Sequence, residues 1–90
     1  MKLNNDQIRQ KLEGTDYWEL KEGKITRSLK FKDFKEAMVF VNKTAEEAEK
    51  MDHHPDIFIS YNKVELSLVT HSEGGLTDQD FTLAQKINRL

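Results

Sequence analysis

The only proline of this 90-residue chain, Pro55, lies where the hydrophobic pattern changes its period. A proline disfavours helical geometry at the residue before it, so a helix that approaches Pro55 must end around residues 51–53. Upstream of this point, Asp33 stands where a helix N-cap would be. Apolar residues then recur at three- and four-residue intervals, as one face of a helix requires: Phe34, Ala37, Met38, Val41, Ala45 and Ala48. The pattern predicts a long amphipathic helix that ends just before Pro55.

Downstream of Pro55, apolar and polar residues alternate, which is typical of half-buried strands. One predicted strand carries Ile57, Ile59 and Tyr61 on one face, and the next carries Val64, Leu66 and Leu68. We expect a hairpin with its turn at residues 62–63. Facing residues would then have numbers that sum to 125, so His54 would oppose His71 across the ladder.

The first third of the chain predicts a short helix followed by two strands. Asn4 or Asn5 can cap a helix in which Ile8 and Leu12 share a face, and Gly14 can end it. Residues 17–21 and 25–32 follow as strands on either side of a turn at residues 22–24. Arg27 interrupts the apolar alternation of the second strand, which predicts that the middle of this strand lies near a sheet edge.

The C-terminal end of the chain predicts a third helix. Thr77 and Asp80 have the spacing of a capping box, and Phe81, Ala84 and Ile87 share the inward face. Gly74 and Gly75 interrupt the chain before it as a turn. The predicted order is therefore α-β-β-α-β-β-α. We expect an α+β fold with two layers, in which helices cover one face of a four-stranded antiparallel sheet, and a single domain over residues 1–90.

Composition excludes several classes of function. The net charge is −2, which favours neither nucleic acid nor an anionic membrane as a partner. The absence of cysteine excludes disulfides and thiolate catalysis, and no apolar run is long enough to span a bilayer. We expect a cytoplasmic protein. A domain this small buries a modest fraction of its surface, so self-association would stabilise it.

The three histidines, His53, His54 and His71, are the residues that point to chemistry. Adjacent imidazoles can supply one protonated and one neutral ring near neutral pH, which suits a reaction such as the elimination of water. Carboxylates that could orient them are close in sequence or in the predicted fold: Glu49, Asp52 and Asp80. We expect His53 and His71 to be partly exposed at the mouth of a pocket.

Other interpretations of these residues remain. Each histidine could be an ordinary solvated or core residue. A zinc site built from the three rings is compatible with their residue type, but adjacent side chains on an extended segment point to opposite faces. His53 and His54 would then not share one ion, so we expect no metal. Tyr17 and Trp18 could be core or interface residues, or could stack on a ligand ring.

Residues in the second half of the chain form one composite motif. The motif runs from Glu49 through Asp52–Pro55 and Tyr61–Val64 to Thr70–His71, and ends at Asp80. This motif resembles that of the pterin-4a-carbinolamine dehydratase family, in which an acidic residue, a His-His-Pro, an aromatic residue, a further histidine and an aspartate occur at the same spacing. The resemblance covers nearly the whole chain from Trp18 onward.

This resemblance implies an enzyme that dehydrates 4a-hydroxytetrahydrobiopterin-type substrates to quinonoid dihydropterin without a cofactor, as a homodimer or homotetramer. It implies catalytic roles for His53, His54 and His71. It also implies that Glu49, Pro55, Asp80 and Trp18 support the site. The residues expected to contact the pterin are Asp52, His53, His54, Val69, Thr70, His71 and Ser72. The alternative is a non-catalytic binding module of the same fold that acts as a dimerisation cofactor for a homeodomain transcription factor.

Overall fold

The computed structural model describes residues 1–90 and contains three α-helices and four strands. In chain order these are α1 (Asn5–Glu13), β1 (Glu19–Lys21), β2 (Lys24–Lys30), α2 (Phe34–Met51), β3 (Asp56–Ser60), β4 (Lys63–Leu68) and α3 (Asp78–Asn88). A short 3-10 helix, His71–Glu73, precedes α3. The predicted order α-β-β-α-β-β-α is confirmed. None of these helices is both long and apolar enough to cross a membrane.

The strands form one antiparallel sheet in the order β1-β2-β4-β3, and the helices pack on one of its faces. Ile25, Leu66 and Leu68 are completely buried on this inner face, where α2 contacts both α3 and β4. Phe81, Ala84 and Ile87 of α3 are buried in the same core, as predicted. The predicted α+β fold with two layers is confirmed.

The boundaries of α2 agree with the prediction, but part of its predicted apolar stripe is wrong. Asp33 caps the helix by accepting a hydrogen bond from the Glu36 N–H. Two predicted core residues, Phe34 and Ala45, are exposed. The buried stripe keeps the predicted Ala37, Val41 and Ala48 and also contains Thr44. Thr44 was missed because its hydroxyl makes it look like a surface residue, yet its side chain is completely buried with no hydrogen-bond partner.

The β3–β4 hairpin forms, but its predicted register is wrong. Ser60 pairs with Lys63 across a two-residue turn at residues 61–62, so facing residue numbers sum to 123 instead of 125. Asn62 is held in this turn because its side-chain amide donates to the Phe31 carbonyl, 2.9 Å away. The ladder spans only β3 and β4. His54 and His71 therefore both lie outside it and do not face each other as a cross-strand pair.

Arg27 lies on the inner face of the sheet, opposite Leu66 in the β2–β4 ladder. Its guanidinium donates to the Asn88 Oδ1 atom of α3 at 2.8 Å and stacks 4.7 Å from the centre of the Tyr17 ring. Burial lowers the pKa of Arg27, and the interaction with Tyr17 opposes that shift. From Arg27 onward β2 pairs with β4 alone. The predicted sheet edge is thus present along the side of this β2 segment that faces away from β4.

Candidate active site

All three histidines line one hollow of about 280 Å³, which lies where α2 ends, β4 ends and α3 begins. The hollow is lined by Asp52, His53, His54, Val69, Thr70, His71, Ser72 and Gln79. A larger hollow of about 390 Å³ lies on the open face of the sheet around Phe58, but it contains no histidine. The first hollow is therefore the candidate active site, and we call it the histidine hollow.

The end of α2 turns the two adjacent histidines in different directions. Asp52 adopts the left-handed conformation, with φ 51°, and its N–H donates to the carbonyls of Ala48 and Glu49. The His53 N–H also donates to the Ala48 carbonyl, at 3.1 Å. This reversal of the chain buries His53, which is 8% exposed, and leaves His54 exposed. The expectation that His53 would be partly exposed is wrong.

His53 is anchored by a buried carboxylate. Its Nε2 atom lies 2.6 Å from Oδ1 of Asp80, whose side chain is completely buried. The other oxygen, Oδ2, accepts from the Thr70 hydroxyl and from the Thr77 N–H, each at 2.9 Å. An ionised carboxylate can only accept, so Nε2 of the His53 ring carries a proton, and in the neutral ring Nδ1 then carries the lone pair. Asp80 thereby fixes the tautomer of His53.

The other two histidines are more accessible to solvent. The Nε2 atom of His54 lies 2.5 Å from Glu49 Oε2, and both side chains are more than half exposed. His71 is exposed, and its ring makes no hydrogen bond or ion pair within the chain. The three rings thus have three environments: a buried ring on Asp80, an exposed ring on Glu49 and an exposed unpaired ring.

His71 and Ser72 lie in a loop that is closed by an isolated β-bridge. Thr70 and Gly75 form an isolated antiparallel bridge, with the Thr70 N–H donating to the Gly75 carbonyl at 3.1 Å. Between them, Gly74 has φ 70°, a conformation that side chains with a Cβ adopt only with strain. The bridge closes the loop, and the 3-10 turn within it fixes the position of His71 relative to Thr70.

Every residue that was predicted to contact a ligand lines the histidine hollow, from Asp52 to Ser72. Of the predicted supporting residues, Glu49 and Asp80 contact histidines directly. Pro55 is half-buried and does not line the hollow. Trp18 is a core residue whose indole N–H donates to Asn88 at the C-terminal end of α3, so it does not reach the hollow either.

Gln79 also lines the hollow but was not predicted from the sequence. It is exposed in the first turn of α3, directly before the Asp80 that anchors His53. This adjacency was the signal in the sequence. Asp80 is the third residue of α3 and points inward to His53, so the residue next to it lies at the same end of the helix as the hollow. No group of three or more histidine, aspartate or glutamate residues is arranged to hold a metal ion.

The family model described as pterin 4 alpha carbinolamine dehydratase matches residues 1–90. A protein of Sulfolobus acidocaldarius, whose name provisionally assigns it as a pterin-4-alpha-carbinolamine dehydratase, is 46% identical over 100% of this chain and 99% of its own length. A protein of Acidobacterium capsulatum with the same provisional name is 52% identical over 92% of this chain and 90% of its own length.

Two solved structures have a similar fold. The crystal structure of a transcriptional coactivator/pterin dehydratase from Brucella melitensis superposes with a TM-score of 0.94 at 42% identity, covering 99% of this chain and 97% of that one. A pterin dehydratase-like protein identified as a RuBisCO assembly factor in the alpha-carboxysome superposes with a TM-score of 0.64 at 16% identity, covering 80% and 83%. The second similarity establishes the fold alone.

Proposed function

Because the chain belongs to the pterin 4 alpha carbinolamine dehydratase family, we propose that it dehydrates 4a-hydroxytetrahydropterins to quinonoid dihydropterins. One observation carries this proposal: three histidines in different environments share one hollow, and a buried carboxylate orients the ring of His53. Elimination of water needs a proton donor and a proton acceptor at the same substrate, and such a group of imidazoles supplies both. Recycling of a tetrahydropterin cofactor in the cytoplasm is the corresponding cellular role.

His53 is the proton acceptor in the proposed reaction. Its Nε2–H is held by Asp80, so Nδ1 is the atom that can take the proton from N5 of the pterin. The nitrogen lone pair left on N5 then forms the C4a=N5 double bond while the C4a–O bond breaks. The Asp80 carboxylate stabilises the imidazolium that results, as an acidic partner does for a catalytic base.

His71 is the proton donor. Its ring is exposed and has no hydrogen-bond partner within the chain, so it can exchange protons with solvent. The imidazolium of His71 protonates the departing 4a-hydroxyl, which leaves as water. One proton passes from His71 to the leaving group and one from N5 to His53, and exchange with solvent restores both rings.

His54 and the remaining residues of the hollow bind the pterin ring. Glu49 holds the His54 ring at one side, where the ring can donate to or polarise the pterin. Asp52 and Thr70 line the hollow beside the histidines, and Val69 and Ser72 offer backbone groups at its rim. These residues orient the substrate, and they transfer no proton themselves.

Stopped-flow measurement of 4a-carbinolamine dehydration against the spontaneous rate tests the proposal. His71→Ala should lower the rate by about 10²–10⁴ and change stability by no more than about 0.5 kcal/mol, because the side chain is exposed. His53→Ala should lower the rate similarly but also destabilise the fold by about 1–3 kcal/mol, since it leaves the buried Asp80 oxygen unpaired.

Two further variants separate catalysis from stability. Leu66→Ala, at a fully buried core position, should cost about 2–5 kcal/mol and leave the rate of the folded protein unchanged. The double variant of His53 and His71 should lose less than the product of the single losses, because groups that act as a unit are non-additive. Histidine variants that melt early yet dehydrate at the wild-type rate would refute the acid–base assignment.

A non-catalytic binding role is the second candidate, and the Brucella melitensis structure described as a transcriptional coactivator/pterin dehydratase is the observation that favours it. Under this alternative, the chain would act as a dimerisation cofactor for a homeodomain transcription factor. Retention of a homeodomain partner in a pull-down, by wild type and His71→Ala alike, would support that role. A dehydration rate equal to the spontaneous rate would then leave it as the only candidate.

A further inference from the structure

The hollow of about 390 Å³ on the open face of the sheet is separate from the histidine hollow and shares no lining residue with it. We call it the sheet-face hollow. Its floor is the outer face of β2, β4 and β3, at the end of the strands nearest the β3–β4 turn. Six outward side chains line it in two rows across the strands: Ser28, Glu65 and Phe58 in one row, and Lys30, Lys63 and Ser60 in the next. The proposed dehydration uses none of them.

Two lysines face each other in this hollow without a counter-charge. Lys30 of β2 is directly opposite Lys63 of β4. Neither ammonium group forms an ion pair with a carboxylate of the chain. Like charges directly opposite each other destabilise a sheet, so an anion bound between them would replace a repulsion with two attractive contacts. The hydroxyl of Ser60, which pairs with Lys63 in the ladder, can donate to the same anion.

Phe58 supplies an aromatic surface beside the lysine pair. Its side chain is 65% exposed, and every other outward residue of the four strands is polar or charged. A planar ring can stack on such an aromatic side chain. Glu65 lies directly opposite Phe58 in the ladder and forms no ion pair. Its carboxylate can accept hydrogen bonds from N–H groups on the edge of a ring that stacks there.

The spacing and charge of these groups fit a nucleoside monophosphate. Two residues of a strand span about 6.5–7 Å, so the two rows are separated by a gap that a ribose can bridge between a base and its phosphate. A phosphate monoester carries a charge of about −1.5 to −2 at neutral pH, which the two lysines balance. A nucleic-acid strand that continued past Phe58 would bring its next phosphate towards Asp56, which projects from the same face. The charges therefore favour a single nucleotide.

We propose that the sheet-face hollow binds a nucleoside monophosphate, with its phosphate on Lys30 and Lys63 and its base stacked on Phe58. Glu65 accepts hydrogen bonds from the edge of the base. Guanine presents two adjacent N–H donors on one edge, which match the two oxygens of a carboxylate, so guanosine monophosphate is the ligand that uses every group of the hollow. The site does not depend on the proposed dehydratase function.

NMR titration of the full chain with guanosine monophosphate tests this inference. Backbone amide signals of the sheet-face hollow should shift, and those of the histidine hollow should not. Lys30→Ala and Lys63→Ala should each raise Kd by about tenfold, through loss of one charge-assisted contact. Phe58→Ala should raise Kd by about fivefold to a hundredfold, through loss of stacking. All three replaced side chains are exposed, so the melting temperature of each variant should stay close to that of wild type.

Lys21→Ala is the matched control. Lys21 and Lys24 are also directly opposite each other on the same face, but neither lines a hollow. This variant should bind guanosine monophosphate as wild type does. Equal losses of affinity in Lys21→Ala and Lys63→Ala would overturn the inference, because they would indicate attraction to positive charge in general.

Two smaller probes and one larger probe test the class of ligand. Inorganic phosphate and guanosine should each bind more weakly than guanosine monophosphate. Phosphate that binds as tightly as the nucleotide would overturn the inference, since Phe58 would then contribute nothing. Signals that shift only in the histidine hollow, or that do not shift at millimolar nucleotide, would also overturn it. Single-stranded RNA that shifts signals along the whole sheet face would make the occupant a nucleic acid instead.

Discussion

Replacing Asp80 with asparagine would change the tautomer of His53 and leave the position of its ring unchanged. The carboxylate accepts on both oxygens, from His53 on Oδ1 and from Thr70 and Thr77 on Oδ2. In Asp80→Asn the amide oxygen can keep the two bonds at the Oδ2 position. The NH₂ group then faces His53 Nε2, which must become an acceptor. The ring proton moves to Nδ1, the atom that we assign as the proton acceptor.

The expected loss of rate follows from this change of tautomer. A ring that carries its proton on Nδ1 cannot accept the N5 proton there, so the general-base contribution is lost, which is worth about 10²–10⁴ in rate. The shape of the side chain and the number of its hydrogen bonds are nearly unchanged. The helix loses a negative charge in its first turn, at a cost of about 0.3–1 kcal/mol.

Asp80→Ala is the contrasting variant, because it removes all three hydrogen bonds at a fully buried position. Each donor that it leaves unpaired costs about 1–3 kcal/mol, so this variant should be much less stable than Asp80→Asn. Both variants lose the base, but only the alanine variant should also lose a large part of the folding free energy.

Stopped-flow dehydration, thermal melting and nitrogen NMR of the His53 ring together test the argument. We expect Asp80→Asn to melt within a few degrees of wild type, to show the proton on Nδ1 and to lose the rate. If the His53 ring carries its proton on Nδ1 in the variant and dehydration still proceeds at the wild-type rate, the role of His53 as base would be refuted. If the rate of the variant falls only in proportion to its folded fraction, Asp80 has a structural role alone.

The remaining predictions concern stability, metal and assembly. Thr44→Val removes a buried hydroxyl that has no partner and should stabilise the fold by about 1 kcal/mol, raising Tm by about 4–8 °C; a lower Tm would contradict this. Prolonged dialysis against a chelator should not change the dehydration rate, since the proposed steps transfer only protons; a loss of rate that zinc restores would refute them. Light scattering at micromolar concentration should give at least twice the 10.5 kDa monomer mass, because β1 and β3 are open edges and Phe34 and Val39 are exposed on α2; a monomer would count against self-association.

The order of the elements could be predicted from the sequence because local signals agree with each other. Asp33 and Thr77 cap the helices that follow them, and Gly14 ends α1. The hairpin register could not be predicted in the same way. A change of two in the sum of facing residue numbers keeps every side chain on its face, since the period of a strand is two residues. Apolar Ile59 faces apolar Val64 in the observed register and would have faced Leu66 in the predicted one.

The candidate site residues that the sequence predicts lie together in one hollow, but their burial could not be predicted. His53 and His54 are neighbours of the same type, and no periodicity distinguishes them. Their difference depends on Asp52, which adopts a left-handed conformation at the end of α2, and on Asp80, which reaches the same place from α3. The second of these contacts joins residues 27 positions apart, so no local pattern contains it.

The error in register did not change which candidate residues lie together in the histidine hollow, for a physical reason. His54 precedes the first residue of β3 and His71 follows the last residue of β4, so neither depends on which ladder residues face each other. Their positions are set by three local devices: the left-handed end of α2, the bridge between Thr70 and Gly75, and the capping box of α3. The sheet only has to bring these three segments to one end of the molecule. Because the capping box uses the same Asp80 carboxylate that holds His53, the start of α3 and the orientation of the proposed base are fixed by one side chain.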